Sequence, residues 1–251
     1  MLLAKFTGWA LLALVRLLTG AQARWWGCPP KAEQRIYFAN HQSHIDLVMI
    51  WAALPQELRS ITRPIAARDY WTSSPLKRWI TTEVFNAIYV ERGGSAPLPA
   101  EPPAYAGGAT YAEPHERVEP RLDASAAPAP EPQLTPGTPE AMLPLQPLID
   151  ALQSGDSIII FPEGTRGHTG EPQKFKSGLY TLATMFPEVV LVPAWIDNVQ
   201  RVMPKGEVVP VPILCTVTFG APCNLQPDEP KPDFLTRARD AVIALKPGGA
   251  A

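Results

Sequence analysis

The chain has 251 residues, 46% of them hydrophobic and 18% charged, which is enough to enclose one substantial core and makes a single catalytic domain the expectation. A formal net charge of -2 and a pI near 6.1 argue against bulk electrostatic binding to nucleic acid. Cys28, Cys215 and Cys223 are too few and too scattered for a disulfide framework, and they form no C-x-x-C pair of the kind used for zinc or redox chemistry.

Met1 to Leu18, MLLAKFTGWALLALVRLL, is almost continuously apolar, with Lys5 and Arg16 near its ends and Arg24, Trp25 and Trp26 soon after. It barely reaches the ~20 residues of a spanning helix, but both cations can snorkel and the tryptophans suit headgroup depth. Residues 1–27 are therefore expected to be a membrane-associated segment, a short anchor either inserted or lying in the interface, with the catalytic domain over 28–251. Two rivals stand beside it: a secretory signal, since Ala21-Gln22-Ala23 resembles a cleavage site, and a buried core helix.

Beyond this segment, strand-like and helix-like runs alternate. Arg35–Ala39, Ala87–Val90, Ser157–Phe161, Val189–Val192 and Ile213–Phe219 read as strands. Ser43–Leu54, Pro75–Val84, Leu145–Gln153, Lys176–Phe186 and Asp233–Leu245 read as helices. The alternation predicts an α/β fold with a mixed, mostly parallel sheet flanked by helices and with sites at the strand ends. Residues 93–140 interrupt it with eleven of the chain's 30 prolines and few large aliphatic residues. Such a segment lacks the apolar surface to offset the entropy of ordering, so it reads as a disordered insertion within the domain and as a passive loop.

Two polar islands fall at predicted strand ends. In Phe38-Ala39-Asn40-His41-Gln42-Ser43-His44-Ile45-Asp46, His41 ends a strand and Asp46 enters the next helix. Across that corner the carboxylate can return to the imidazole and hold one ring nitrogen protonated, leaving the other as a general base. A metal reading of His41, His44 and Asp46 lacks further ligands, because only His115 and His168 remain and His115 lies in the insertion. A serine nucleophile at Ser43 lacks the G-x-S-x-G elbow, and Ser43 suits a helix N-terminus. Alone, a His-x4-Asp pair is a loose pattern. The second island, Phe161-Pro162-Glu163-Gly164-Thr165-Arg166, ends an apolar strand with an acid, a glycine that permits close backbone approach, and an arginine suited to phosphate or carboxylate. By itself it also fits a solvated turn with a Glu-Arg pair.

Together the islands resemble the glycerolipid acyltransferase family, whose best-known members acylate lysophosphatidic acid. His41 to Asp46 is similar to that family's N-H-x-x-x-x-D block and Phe161 to Arg166 to its F-P-E-G-T-R block. Between them Ala87-Ile88-Tyr89-Val90-Glu91-Arg92 resembles the block ending in a substrate-binding arginine. Lys174-Phe175-Lys176-Ser177-Gly178 and Leu191-Val192-Pro193-Ala194 resemble the later segments, so the likeness runs from Ile36 to Phe219 without the insertion. Departures are Asn86 for a usual glycine, Gly167 for a common serine, and Trp195 after Ala194.

The resemblance implies that His41 is the base and Asp46 its orienter. It also implies that Arg92 and Arg166 bind acceptor phosphate, with Lys174 and Lys176 as further phosphate contacts. Glu163 then places the glycerol beside Gly164 and Thr165, and Pro193 shapes an acyl pocket. It implies an acyl thioester donor, acyl-CoA or acyl-carrier protein, and no metal or other cofactor. The acceptor is a lysophospholipid, foremost 1-acyl-sn-glycerol-3-phosphate, converted to phosphatidic acid on the cytoplasmic side of a membrane. The alternatives are a membrane-bound metal-dependent hydrolase and an inactive lipid-binding module.

Overall fold

The computed structural model describes residues 2–20, 22–43, 45–91, 143–167, 170–198 and 214–247. The expected insertion over 93–140, and with it His115, lies outside them, as do His44, Arg92 and His168. The chain opens with helix α1 (Leu2–Thr19) and strand β1 (Gln22–Trp25), followed by β2 (Arg35–Ala39), α2 (Asp46–Ala53), α3 (Gln56–Ser60) and β3 (Thr62–Ala67). Next come α4 (Arg68–Trp71), α5 (Pro75–Trp79) running into a π-helical turn (Ile80–Val84), and β4 (Ile88–Val90). A 3-10 turn (Leu143–Leu145) leads into α6 (Gln146–Gln153), then β5 (Ser157–Ile160), α7 (Gly178–Met185), β6 (Val190–Asp197), β7 (Thr216–Phe219) and α8 (Lys231–Ile243).

The strands form one seven-stranded sheet in the order β1-β7-β6-β2-β5-β3-β4. Every pairing is parallel except β6 with β7, so the sheet is mixed and mostly parallel as expected. The two central strands, RIYFA and SIII, are buried along their whole length. Such runs suit a strand covered on both faces, where branched side chains fit the pleat. Alternation sends Tyr37, Ala39, Ile159 and Val192 into one apolar layer, packed by Leu47 and Ile50 of α2. Ile36, Phe38, Ile158 and Ile160 enter the other, with Leu148 of α6 and Leu179 of α7.

Several boundaries differ from the sequence reading, and three of them have a clear local reason. The helix expected from Ser43 begins at Asp46, because the Asp46 carboxylate draws the N–H groups of Gln42 and Ser43 into a turn ahead of it. The helix expected from Lys176 begins at Gly178, since the Lys176 N–H is bonded to the Pro162 carbonyl. Strand β6 runs through Pro193 to Asp197. The Pro193 carbonyl accepts from the Gly220 N–H, so its missing donor faces the edge where pairing with β7 begins at Ala194 and the ladder to β2 loses nothing.

Helix α1 is neither free of the domain nor enclosed by it. Leu11, Leu12 and Val15 pack on the α2 side of the core, while Leu2, Phe6, Trp9 and Leu17 are 65–86% exposed. Its 18 residues extend about 27 Å, and among the described residues no helix is long and apolar enough to cross a membrane. Ala23, at the end of the small-residue pattern, is the second residue of β1 and pairs in register with Val217.

Candidate active site

Parallel neighbours β2 and β5 end side by side, and the two polar islands continue directly from their C-terminal ends. Asn40, buried at the end of β2, fixes the exit. Its amide donates to the Ile196 carbonyl at 3.1 Å and its carbonyl accepts the Ile196 N–H at 2.8 Å, clipping the corner to β6.

His41 follows, and its Nδ1 lies 2.9 Å from Asp46 Oδ2. That same carboxylate oxygen accepts the N–H groups of Gln42 at 2.6 Å and Ser43 at 2.8 Å, so one atom organises both the corner and the ring. The Asp46 side chain is 1% exposed and the His41 side chain 23%. A carboxylate only accepts, so Nδ1 carries a proton, and in the neutral ring the lone pair is left on Nε2. The imidazole stacks on the Phe161 ring at 4.3 Å and 17°, which fixes the ring plane as well as its position along the Asp46 bond. Asp46 Oδ1 is buried without a hydrogen-bond partner among the described residues, whose donors reach the carboxylate through Oδ2 alone. Ser43 has a supporting position: its Oγ accepts the Ile45 N–H at 3.4 Å.

The second island holds the first by its main chain. Glu163, 2% exposed, accepts the His41 N–H at 2.7 Å through Oε1 and the Gln173 N–H at 2.8 Å through Oε2. Burial pushes its carboxyl above the ordinary range, opposed by those two backbone donors. The Gly167 N–H donates to the His41 carbonyl at 2.8 Å, so His41 is braced on both sides of its own peptide unit. Both oxygens of Glu163 are thus engaged by backbone donors, an arrangement in which the side chain ties the two islands together.

Gly164 turns the chain with φ +71°, and a Cβ there would lie 2.9 Å from Cε of Lys176. The Lys176 stem thus crosses directly over the turn, bringing one of the two expected lysines to this island. Thr165 is exposed and Arg166 half-buried, and no ion pair joins Arg166 to another described residue. Lys174 is exposed, one residue beyond the Gln173 N–H that Glu163 holds. The structure gathers His41, Asp46, Glu163, Gly164 and Lys176 by direct contact or in one turn. It does not bring Pro193 to them: Pro193 is buried within β6, in register with Phe38, and faces Gly220 and the layer under α8. Arg92 lies outside the described residues, and β4, which precedes it, is separated from β2 by β3 and β5.

Phe161 and Asn40 were given no role by sequence reasoning. Phe161 ends an apolar run and reads as core; Asn40 is polar at a strand end, which alone suggests a turn. Their neighbour His41 was the usable signal.

No curated protein matches the chain. Among solved structures, the crystal structure of the 1-acyl-sn-glycerophosphate (LPA) acyltransferase PlsC from Thermotoga maritima is similar, with a TM-score of 0.61 and 17% identity over 99% of this chain and 82% of that one. At that identity the likeness is one of fold. The Acyltransferase family model matches residues 29–197, a span that contains both polar islands and most of the sheet, and the chain belongs to the Acyltransferase family.

Proposed function

We propose that the protein transfers a fatty acyl group from acyl-CoA or acyl-carrier protein to the free hydroxyl of a lysophospholipid, foremost 1-acyl-sn-glycerol-3-phosphate, forming phosphatidic acid. The observation that carries this reading is the 2.9 Å contact between His41 Nδ1 and the buried Asp46 carboxylate, with the ring still partly open to solvent. Nε2 removes the proton of the acceptor hydroxyl as its oxygen forms a bond to the thioester carbonyl carbon. The resulting tetrahedral intermediate collapses by breaking the C–S bond, and the departing thiolate takes the proton from the imidazolium. No acyl-enzyme is formed. Asp46 offsets the charge on the imidazolium between these steps, and the Phe161 stack keeps the ring aligned.

Acceptor phosphate is bound by Arg166 and Arg92, with Lys174 and Lys176 adding positive charge and the Gly164-Thr165 turn shaping the loop around it. Pro193 has a place in this reading only as part of the buried sheet behind the site. The outward apolar face of α1, with Phe6, Trp9 and Leu17 exposed, lies in the interface of the membrane that holds the lysophospholipid. Acyl thioesters are intracellular, so the catalytic domain is assigned to the cytoplasmic side. The test is acyl transfer by purified protein in detergent, with labelled acyl-CoA and acyl-carrier protein against a panel of lysolipids. Transfer to lysophosphatidic acid that disappears in His41→Ala is expected, and unchanged transfer by that variant would sink the assignment of His41 as base.

A further inference from the structure

At the far end of α2 from Asp46, a cleft of about 610 Å³ is lined by residues of α1, α2, α3 and the π-helical turn. Trp9, Leu12, Trp51 and Phe85 form its apolar walls, and Lys5, Gln56, Arg59 and Glu83 give it a polar side. The Arg59 guanidinium lies over the Trp51 ring at 4.9 Å. No hydrogen bond or ion pair joins its side chain to another described residue, and its Nη1 is buried without an acceptor. Neither Glu57 nor Glu83 forms an ion pair with it. A guanidinium nitrogen buried without an acceptor is costly, and an anion entering the cleft would supply what the protein does not. Arg16 is also close, bonded to the Ala52 carbonyl at 3.4 Å, so Lys5, Arg16 and Arg59 place three cations around this end of α2. Burial, then the neighbouring Arg16, depress the Arg59 pKa, opposed by the charge of Glu57.

The cleft is continuous with the exposed apolar face of α1. Trp9 belongs to both, lining the cleft while remaining 66% exposed, and Phe6 beside it is 65% exposed. An occupant must therefore join an anionic group to apolar chains, which a free anion does not. We infer that this cleft is an accessory site for the phosphate of an anionic bilayer phospholipid, held by Arg59 and Lys5 while its acyl chains lie along α1. The site is distinct from the His41 centre, and its readout is vesicle binding, which does not depend on the acyl-transfer reading.

The test is cosedimentation of the full chain, at physiological ionic strength, with vesicles of phosphatidylcholine alone or doped with phosphatidylglycerol. Wild type is expected to bind the doped vesicles about tenfold more tightly, the scale of one charge-assisted hydrogen bond in a partly desolvated site. Arg59→Gln should lose most of that preference and keep its binding to neutral vesicles through α1. Because Arg59 also stacks on Trp51, a second variant leaves it in place: Gln56→Glu, on the exposed first residue of α3, supplies an internal carboxylate three residues from Arg59 and should suppress the preference equally. Retention of the full preference by either variant, or equal binding of wild type to both vesicles, overturns the site. So does a wild type that binds neither.

Discussion

Glu163 accepts the backbone N–H of His41 at 2.7 Å, so the acid of one polar island positions the base of the other without touching its ring. This relationship separates a positioning role from a substrate-binding one. Glu163→Gln keeps the shape, but its amide NH2 must face one of two N–H donors, at a cost of about 1–3 kcal/mol in stability. The expected kinetic signature is a fall in kcat with little change in KM for the lysolipid. A rise in KM with kcat intact would instead indicate direct contact with the acceptor.

The same carboxylate has a pH signature. Its folded-state pKa is raised by burial, so the native state binds more protons than the unfolded state in the window above the ordinary carboxylate value. The stability linked to it is fully present below the unfolded pKa and is lost as pH rises through the folded one. In thermal melts across mildly acidic pH, the stability of wild type relative to Glu163→Gln should fall as pH increases. A constant difference would mean that Glu163 does not titrate there.

Asp46 is expected to be the more damaging position. One oxygen serves three donors; in Asp46→Asn the amide oxygen can keep those bonds, but it carries no charge to offset the imidazolium, and its NH2 takes the buried place of Oδ1, where no acceptor awaits it among the described residues. A rate loss on the order of 10² or more is expected, the scale of a displaced general base. Acyl transfer and thermal unfolding measured together check it, and an active, stable variant would show that the turn does not depend on the charge.

The pattern of residues revealed this site earlier than it revealed the sheet. His41, Asp46 and the FPEGTR stretch are polar groups at the ends of buried apolar runs, and the central strands announce themselves as RIYFA and SIII. Strand β3, TRPIAA, was hidden by Pro64. It fits because β3 changes neighbour there, pairing with β5 up to Pro64 and with β4 from Ile65. Strand β1 was masked by the apolar helix before it and by its place at the edge of the sheet. Apolar residues surround α1 on all sides, so periodicity could not select a docked face; the close approach of Gly8 to Val84, with a Cβ position 3.2 Å from Cγ1, does so. The brace on Glu163 was also hidden, since a backbone N–H partner leaves no residue-type signature.

Asn86 stands where the related block usually has glycine, and its φ of +48° gives the reason. Asparagine tolerates this left-handed conformation better than other side-chain-bearing residues, and its carbonyl accepts from Arg63 Nε at 3.0 Å. Asn86→Gly should be neutral or stabilising by up to about 1 kcal/mol, whereas Asn86→Val should destabilise by about 1–2 kcal/mol. Denaturant unfolding of the two variants decides this, and equal stability would argue against strain at that turn.

Gly164 combines two constraints that substitution can separate. Its φ of +71° disfavours any side chain, and the Lys176 stem occupies the space a Cβ would take. Gly164→Ala should therefore cost about 1–3 kcal/mol, in part from backbone strain and in part from displacing the lysine. In a Lys176→Ala background the second part disappears, so the same substitution should cost less by roughly 0.5 kcal/mol or more. Additive costs in this double-mutant cycle would show that the lysine moves aside freely. A smaller cost in the double variant, with acyl transfer still reduced by loss of the Lys176 charge, would identify Lys176 as both the cover of the turn and part of its positive field.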